Sequence, residues 1–180
     1  LKNFILLSII ITFSSCSSKP FSEITKSTEG IIINGTYVND YLTIDIPTGW
    51  SEMPSSESSN FLVIGKDHND PKPSIILVAL NKKEIKEVYG FQSAEEYMMD
   101  LTEYFESKPE YQLINGLDSI KIDNKATFLS NFKLTKDSIQ LSQSYSATDL
   151  EDIYFGIVAT NGNKESQVEI EKIISSINFK

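Results

Sequence analysis

From residue 31 onward the apolar positions of this chain fall into two periods, one of two residues and one of three to four. Leu42, Ile44 and Ile46 alternate with Thr43 and Asp45, which predicts a half-buried strand. Pro47-Thr48-Gly49 breaks that run, and Trp50 follows it. Two further apolar runs cover 60–66 and 73–80. Asp67-His68-Asn69-Asp70-Pro71 between them is rich in turn formers, so the pair predicts a β-hairpin with a longish loop.

The period then changes. Ser93-Ala94-Glu95-Glu96 fits a capping box, and Ala94, Tyr97, Met98, Leu101, Tyr104 and Phe105 recur at helical spacing. Pro109 ends that helix. Its methionine pair and its aromatics are expected in the core. Strand patterns resume in two short runs, 111–114 and 117–122, and continue over 126–135. Over 139–147, Ile139, Leu141, Tyr145 and Ala147 face one way, and Gln140, Ser142, Ser144 and Ser146 face the other. Such a sheet has one wet face. Residues 154–160 are apolar almost throughout and predict a central strand, closed by the turn Asn161-Gly162-Asn163. Ser166-Gln167-Val168-Glu169 is a second capping box, and Val168, Ile170, Ile173, Ile174 and Ile177 supply that helix's buried face. A short segment, 178–180, closes the chain. Runs of strands set apart from helices predict an α+β domain: two main helices packed on a curved, mostly antiparallel sheet.

The first thirty residues follow neither period. Lys2 precedes an almost wholly apolar stretch, 4–13, and the chain turns polar at once after Cys16. A positive tip, a short apolar run and small residues describe a secretory signal peptide over 1–15. The run is too short to span a bilayer, which takes about 20 apolar residues. Cys16 is the only cysteine. Phe13-Ser14-Ser15-Cys16 resembles the lipobox of bacterial lipoproteins, in which the cysteine receives a diacylglyceryl group and becomes the first residue after cleavage. That resemblance implies lipidation at Cys16 and a cell-membrane location on the extracytoplasmic face. A diacylated residue anchors stably, where one chain binds only marginally. Residues 16–30 then read as the lipidated cysteine and a flexible tether, and 31–180 as a single domain.

Charge and candidate chemistry narrow the function. The net charge is −9, and all 16 basic residues are Lys. That balance excludes nucleic acid, which needs clustered cations, and leaves no Arg for a bidentate phosphate clamp. The sole histidine, His68, lies in the expected hairpin loop beside Asp67, Asn69 and Asp70. That loop lacks EF-hand spacing, and with one His and one Cys the chain has too few ligands for a zinc cage. No Gly-x-Ser-x-Gly elbow or phosphate-binding glycine loop occurs. Carboxylates are plentiful, including the acidic turn Thr148-Asp149-Leu150-Glu151-Asp152, but nothing selects a catalytic pair. No catalytic residue, metal site or cofactor is expected.

Two longer stretches carry a further resemblance. GTYVNDYLTIDIPTGW, 35–50, and YFGIVATNGNKESQVEIEKIISSINFK, 154–180, resemble the opening hairpin and the closing strand and helix of small lipoproteins with a PsbP-like (DcrB-like) domain. The likeness spans 35–180 and implies a curved antiparallel sheet flanked by helices. It transfers no function, because one fold hosts many. Within it, Trp50 reads either as a plug over the sheet edge or as a ligand-stacking platform. Together these features favour a noncatalytic, membrane-anchored domain that binds an envelope protein or small ligand. A weak divalent-cation binder and a carboxylate-based cell-envelope hydrolase are the alternatives.

Overall fold

A computed structural model describes residues 26–55, 59–66, 73–136 and 139–180. In chain order the elements are β1 (Ile31–Ile33), β2 (Thr36–Val38), β3 (Leu42–Asp45), β4 (Ser51–Glu52), β5 (Asn60–Gly65), β6 (Ser74–Asn81), α1 (Lys82–Tyr89) and α2 (Ala94–Glu106). They continue with β7 (Tyr111–Ile122), β8 (Lys125–Lys136), β9 (Ile139–Asp149), β10 (Ile153–Asn161), α3 (Lys164–Ser175) and β11 (Asn178–Phe179). Every strand pair is antiparallel. A four-stranded sheet runs β1-β2-β3-β11, and a seven-stranded sheet runs β4-β5-β6-β10-β9-β8-β7. The domain is α+β.

Two tight turns set the hairpin registers. Asn34 and Gly35 between β1 and β2 have φ of 50° and 82°, and Asp123 and Asn124 between β7 and β8 have φ of 46° and 62°. Paired positive φ values are what two-residue hairpin loops require, because that twist matches the flanking strands.

The long sheet buries both faces, and strand alternation sorts its side chains between them. On one face Phe155, Ile157 and Ala159 of β10 join Ile64, Ile75 and Leu77, under Leu42 and Ile44 of the small sheet and Ile170 and Ile173 of α3. Trp50 is 6% exposed within this cluster. It is therefore a plug, and the stacking-platform alternative fails on burial. On the other face α2 lays Ala94, Met98, Leu101 and Phe105 on Phe132, Leu134, Tyr145, Ala147 and Tyr154.

Several local expectations change. Among the described residues there are three helices, since α1 follows β6 without a loop. Asn81 ends the strand and caps the helix, its side chain accepting from Lys83 N and Glu84 N. The runs expected at 111–114 and 117–122 form one strand, β7, with irregular pairing to β8 at residues 113–118. Its bulges break the period-two signal and make one strand read as two. α3 starts earlier than its Ser-x-x-Glu pattern predicts. Asn163 is the cap, accepting from Ser166 N at 2.8 Å, and Ser166 lies inside the first turn with its hydroxyl bonded to Asn163 O. Val168 is 44% exposed, outside the buried face assigned to it, because helical spacing puts it about 160° from Ile170. Met99 is likewise exposed at 49%, while its neighbour Met98 is buried. For α2 the Ser93 cap is as expected, but Glu96 reaches Gln92 N rather than the cap's own N–H.

Candidate functional site

Strand lengths and registers bring five chain segments to one end of the long sheet: the first described residues, Tyr41, the β6–α1 junction, the start of α2 and the β9–β10 turn. The turn is the hub. Glu151 receives Lys26 Nζ at 2.9 Å. Asp152 accepts Tyr41 OH at 2.9 Å through its carboxylate and Lys82 N at 3.0 Å through its carbonyl. Asp149 accepts Ala94 N at 3.0 Å, capping α2, and pairs with Lys82 Nζ at 3.0 Å. A carboxylate at a helix start meets both free N–H groups and the positive end of the dipole. The acidic turn that reads as a polar tip in sequence is thus a junction.

Residues 26–29 are tied down beside this hub. Ser27 N donates to Asp40 Oδ2 at 2.7 Å, and Thr28 O accepts from Tyr37 OH at 2.9 Å and Asn39 Nδ2 at 3.1 Å. Asn39 Oδ1 in turn accepts from Tyr41 N and Leu42 N. Burial pushes the Tyr41 phenol well above its ordinary value, and the Asp152 carboxylate adds to the shift. The hydrogen bond to Glu151 raises Lys26. Tyr41 is therefore a neutral donor and Lys26 a full cation at neutral pH.

α1 lies across the same end. Its backbone starts at Asp152 and, after Gly90 in the left-handed region, the chain returns to Asp149 at Ala94. An aromatic series runs inward from it. Tyr89 stacks on Phe91 at 6.0 Å, Phe91 meets Tyr97 edge-on at 6.1 Å, and Tyr97 stacks on buried Tyr154 at 6.2 Å. Burial holds the Tyr97 phenol up at about 12. Val88 and Tyr89 stay exposed at 63% and 38%.

The opposite end carries a second constellation. Lys66 Nζ lies 2.7 Å from Glu169 Oε1, and the Trp50 indole N–H donates to Glu169 Oε2 at 3.4 Å. The Lys66 bond holds the Glu169 carboxyl below the usual carboxylate range. Nearby, an open groove of about 430 Å³ lies between β8–β9 and the start of α3, lined by Lys133, Gln140, Ser142, Asn163, Lys164 and Gln167 among others. It is open to solvent and lined by both polar and apolar groups, Leu141 among them.

Cys16, His68 and the loop 67–71 lie outside the described residues. Among the described residues, no three His, Cys, Asp or Glu side chains come together as a metal site, and no helix is long and apolar enough to cross a membrane. Sequence reasoning missed α1, the Tyr41–Asp152 bond and the Trp50–Lys66–Glu169 group. The last two join residues more than a hundred positions apart, and no local pattern signals such pairs.

No protein-family model matches the chain. The solution structure of cyanobacterial PsbP (CyanoP) from Synechocystis sp. PCC 6803 superposes with a TM-score of 0.56 and 13% identity, covering 91% of this chain and 98% of that one. The fold is PsbP-like. A second match is the crystal structure of LpqN, described as involved in cell envelope biogenesis of Mycobacterium tuberculosis. Its TM-score is 0.55 at 8% identity, over 77% of this chain and 83% of LpqN. At these identities the likeness is one of fold alone. Among curated proteins, segregation and condensation protein A of Caldanaerobacter subterraneus subsp. tengcongensis shares 27% identity over 121 residues, 67% of this chain and 48% of that protein. The PsbP-like chain thus spans about half the length of the curated relative it matches.

Proposed function

We propose that the chain is a lipoprotein anchored at Cys16 to the extracytoplasmic face of the cell membrane, with a noncatalytic PsbP-like domain that binds an envelope protein or small ligand. The single observation that carries this reading is the sequence around Cys16: an apolar run, small residues, the cysteine and an immediate switch to polar residues. Lys26 and Ser27, about ten residues later, are bonded to Glu151 and Asp40 of the domain. A lipid on Cys16 therefore holds one defined end of the domain near the membrane. The apolar run and small residues before Cys16 supply the processing signal. The fold likeness to LpqN, whose description places it in cell envelope biogenesis, is in keeping with that compartment.

The way the polar groups are used supports a binding rather than a catalytic role. Asp149 and Asp152 fasten α2, α1 and Tyr41, and Glu151 fastens Lys26. The phenols of Tyr41, Tyr97 and Tyr145 are all pushed upward by burial, which leaves them hydrogen-bond donors rather than nucleophiles. Nucleic acid is not a partner for so acidic a chain.

Expression of the full chain and of Cys16→Ser with radiolabelled palmitate tests the anchor. The unaltered protein is expected to take up label and sediment with membranes, while the variant does neither. Unlabelled wild-type protein, or a variant that sediments equally, overturns the anchor.

A further inference from the structure

We propose that α1 seats the domain on the lipid surface, with Val88 and Tyr89 entering the headgroup region and Lys83 and Lys86 reaching along it. This inference rests on the Cys16 anchor and adds an orientation to it.

Reach comes first. The ten or so residues from Cys16 to Lys26 extend at most about 35 Å. A domain of this size on so short a leash turns the end that bears Lys26 toward the bilayer. α1 lies across that end, between the Asp152 carbonyl and the Asp149 carboxylate that flank the Lys26–Glu151 pair.

The helix itself is suited to an interface. Ile85, Val88 and Tyr89 form an apolar stripe at i, i+3 and i+4. Ile85 packs against the core, Tyr89 stacks on Phe91, and no residue of α1 is fully buried. The stripe therefore continues past the domain edge, where Val88 is 63% exposed. Tyrosine favours the membrane–water boundary because its ring is apolar and its hydroxyl is not. Lysine stems can lie along apolar surface while the ammonium stays wet.

Charge agrees with the placement. The chain carries −9, yet α1 holds three lysines against two glutamates. At the hub Asp149 pairs with Lys82 and Glu151 with Lys26, while Asp152 accepts from Tyr41 OH and Asp40 from Ser27 N. α1 itself thus carries one net positive charge on an acidic chain. Two side chains bind weakly on their own, but an anchored domain meets the surface at millimolar effective concentration, so a weak contact suffices.

The test uses the full chain in cells grown with a photoactivatable phospholipid, with crosslinked peptides mapped by mass spectrometry and palmitate uptake scored in parallel. Crosslinks are expected to concentrate within 83–91. Val88→Asp should lower their yield on the order of tenfold, about 1.4 kcal/mol, with palmitate labelling unchanged, and Val88→Leu should keep it. Palmitate uptake with crosslinks spread evenly, or centred on the groove at Lys133 and Lys164, overturns the seating and leaves the anchor standing. Absence of palmitate overturns both.

Discussion

The two faces of the seven-stranded sheet are built from different chemistry. One is mainly aliphatic, filled by Ile64, Ile75, Leu77 and Ile157 with Phe155 and Trp50 among them, and roofed by a second sheet and α3. The other is aromatic and is roofed by α2. There Phe105 sits 4.4 Å from Tyr145, 4.6 Å from Tyr111 and 5.5 Å from Phe132, centroid to centroid. Buried hydroxyls accompany the rings. Thr102 Oγ1 lies 2.7 Å from Ser130 Oγ, and Tyr145 OH donates to Gln143 Oε1 at 2.9 Å. Non-directional burial of aliphatic side chains holds most of the first face, and at those positions an apolar group of suitable volume serves. The second adds ring geometry and matched polar pairs, so one helix can replace the two elements that cover the other face. It is also less tolerant of a lost partner.

That contrast sets an order of effects. Phe105→Ala should cost about 4 kcal/mol in urea unfolding, against about 3 for Leu77→Ala on the aliphatic face. Equal or reversed costs would erase the distinction between the faces. Thr102→Val strands the Ser130 hydroxyl and should cost about 1–2 kcal/mol. Thr102→Val with Ser130→Ala should cost less than the two single changes added together. Strict additivity would mean the hydroxyls do not act as a pair.

At the rim of the aliphatic face, Lys66→Met should cost only about 0.5–1 kcal/mol, because the Lys66–Glu169 pair is partly open to water. The pH dependence has a definite sign. Glu169 is held below its ordinary value in the folded state, so its contribution is complete above the unfolded carboxylate pKa. It is lost as pH falls through the lowered folded value. The gap between wild type and Lys66→Met should therefore close on acidification. A gap that widens contradicts the pairing. Val88→Asp, at an exposed position, should shift stability by less than about 0.5 kcal/mol. A larger loss would mean that α1 is integral to the aromatic face rather than laid beside it.

Legibility in the sequence followed the same physics. β3, β9 and β10 announced themselves because alternation or continuous apolarity spans their whole length. α2 did so because a capping serine precedes a full apolar stripe. α1 was hidden: it has eight residues, three apolar, and it starts where β6 ends, so the strand signal runs into it. The start of α3 was misplaced because two cap patterns overlap, Asn163 with Ser166 and Ser166 with Glu169. The Asn-Gly-Asn turn decides between them. The reading of Cys16 rests on its local context alone, since it lies outside the described residues. The hub was not readable in the sequence, because Tyr41–Asp152 and Lys26–Glu151 are meetings of distant segments.

The most direct measurement is the mass of the N-terminal peptide from protein extracted out of membranes. The account predicts a chain that begins at Cys16, lacks residues 1–15 and carries a diacylglyceryl group on the sulfur. A chain that retains the leader, with a Cys16 thiol that alkylates freely after denaturation, would contradict it.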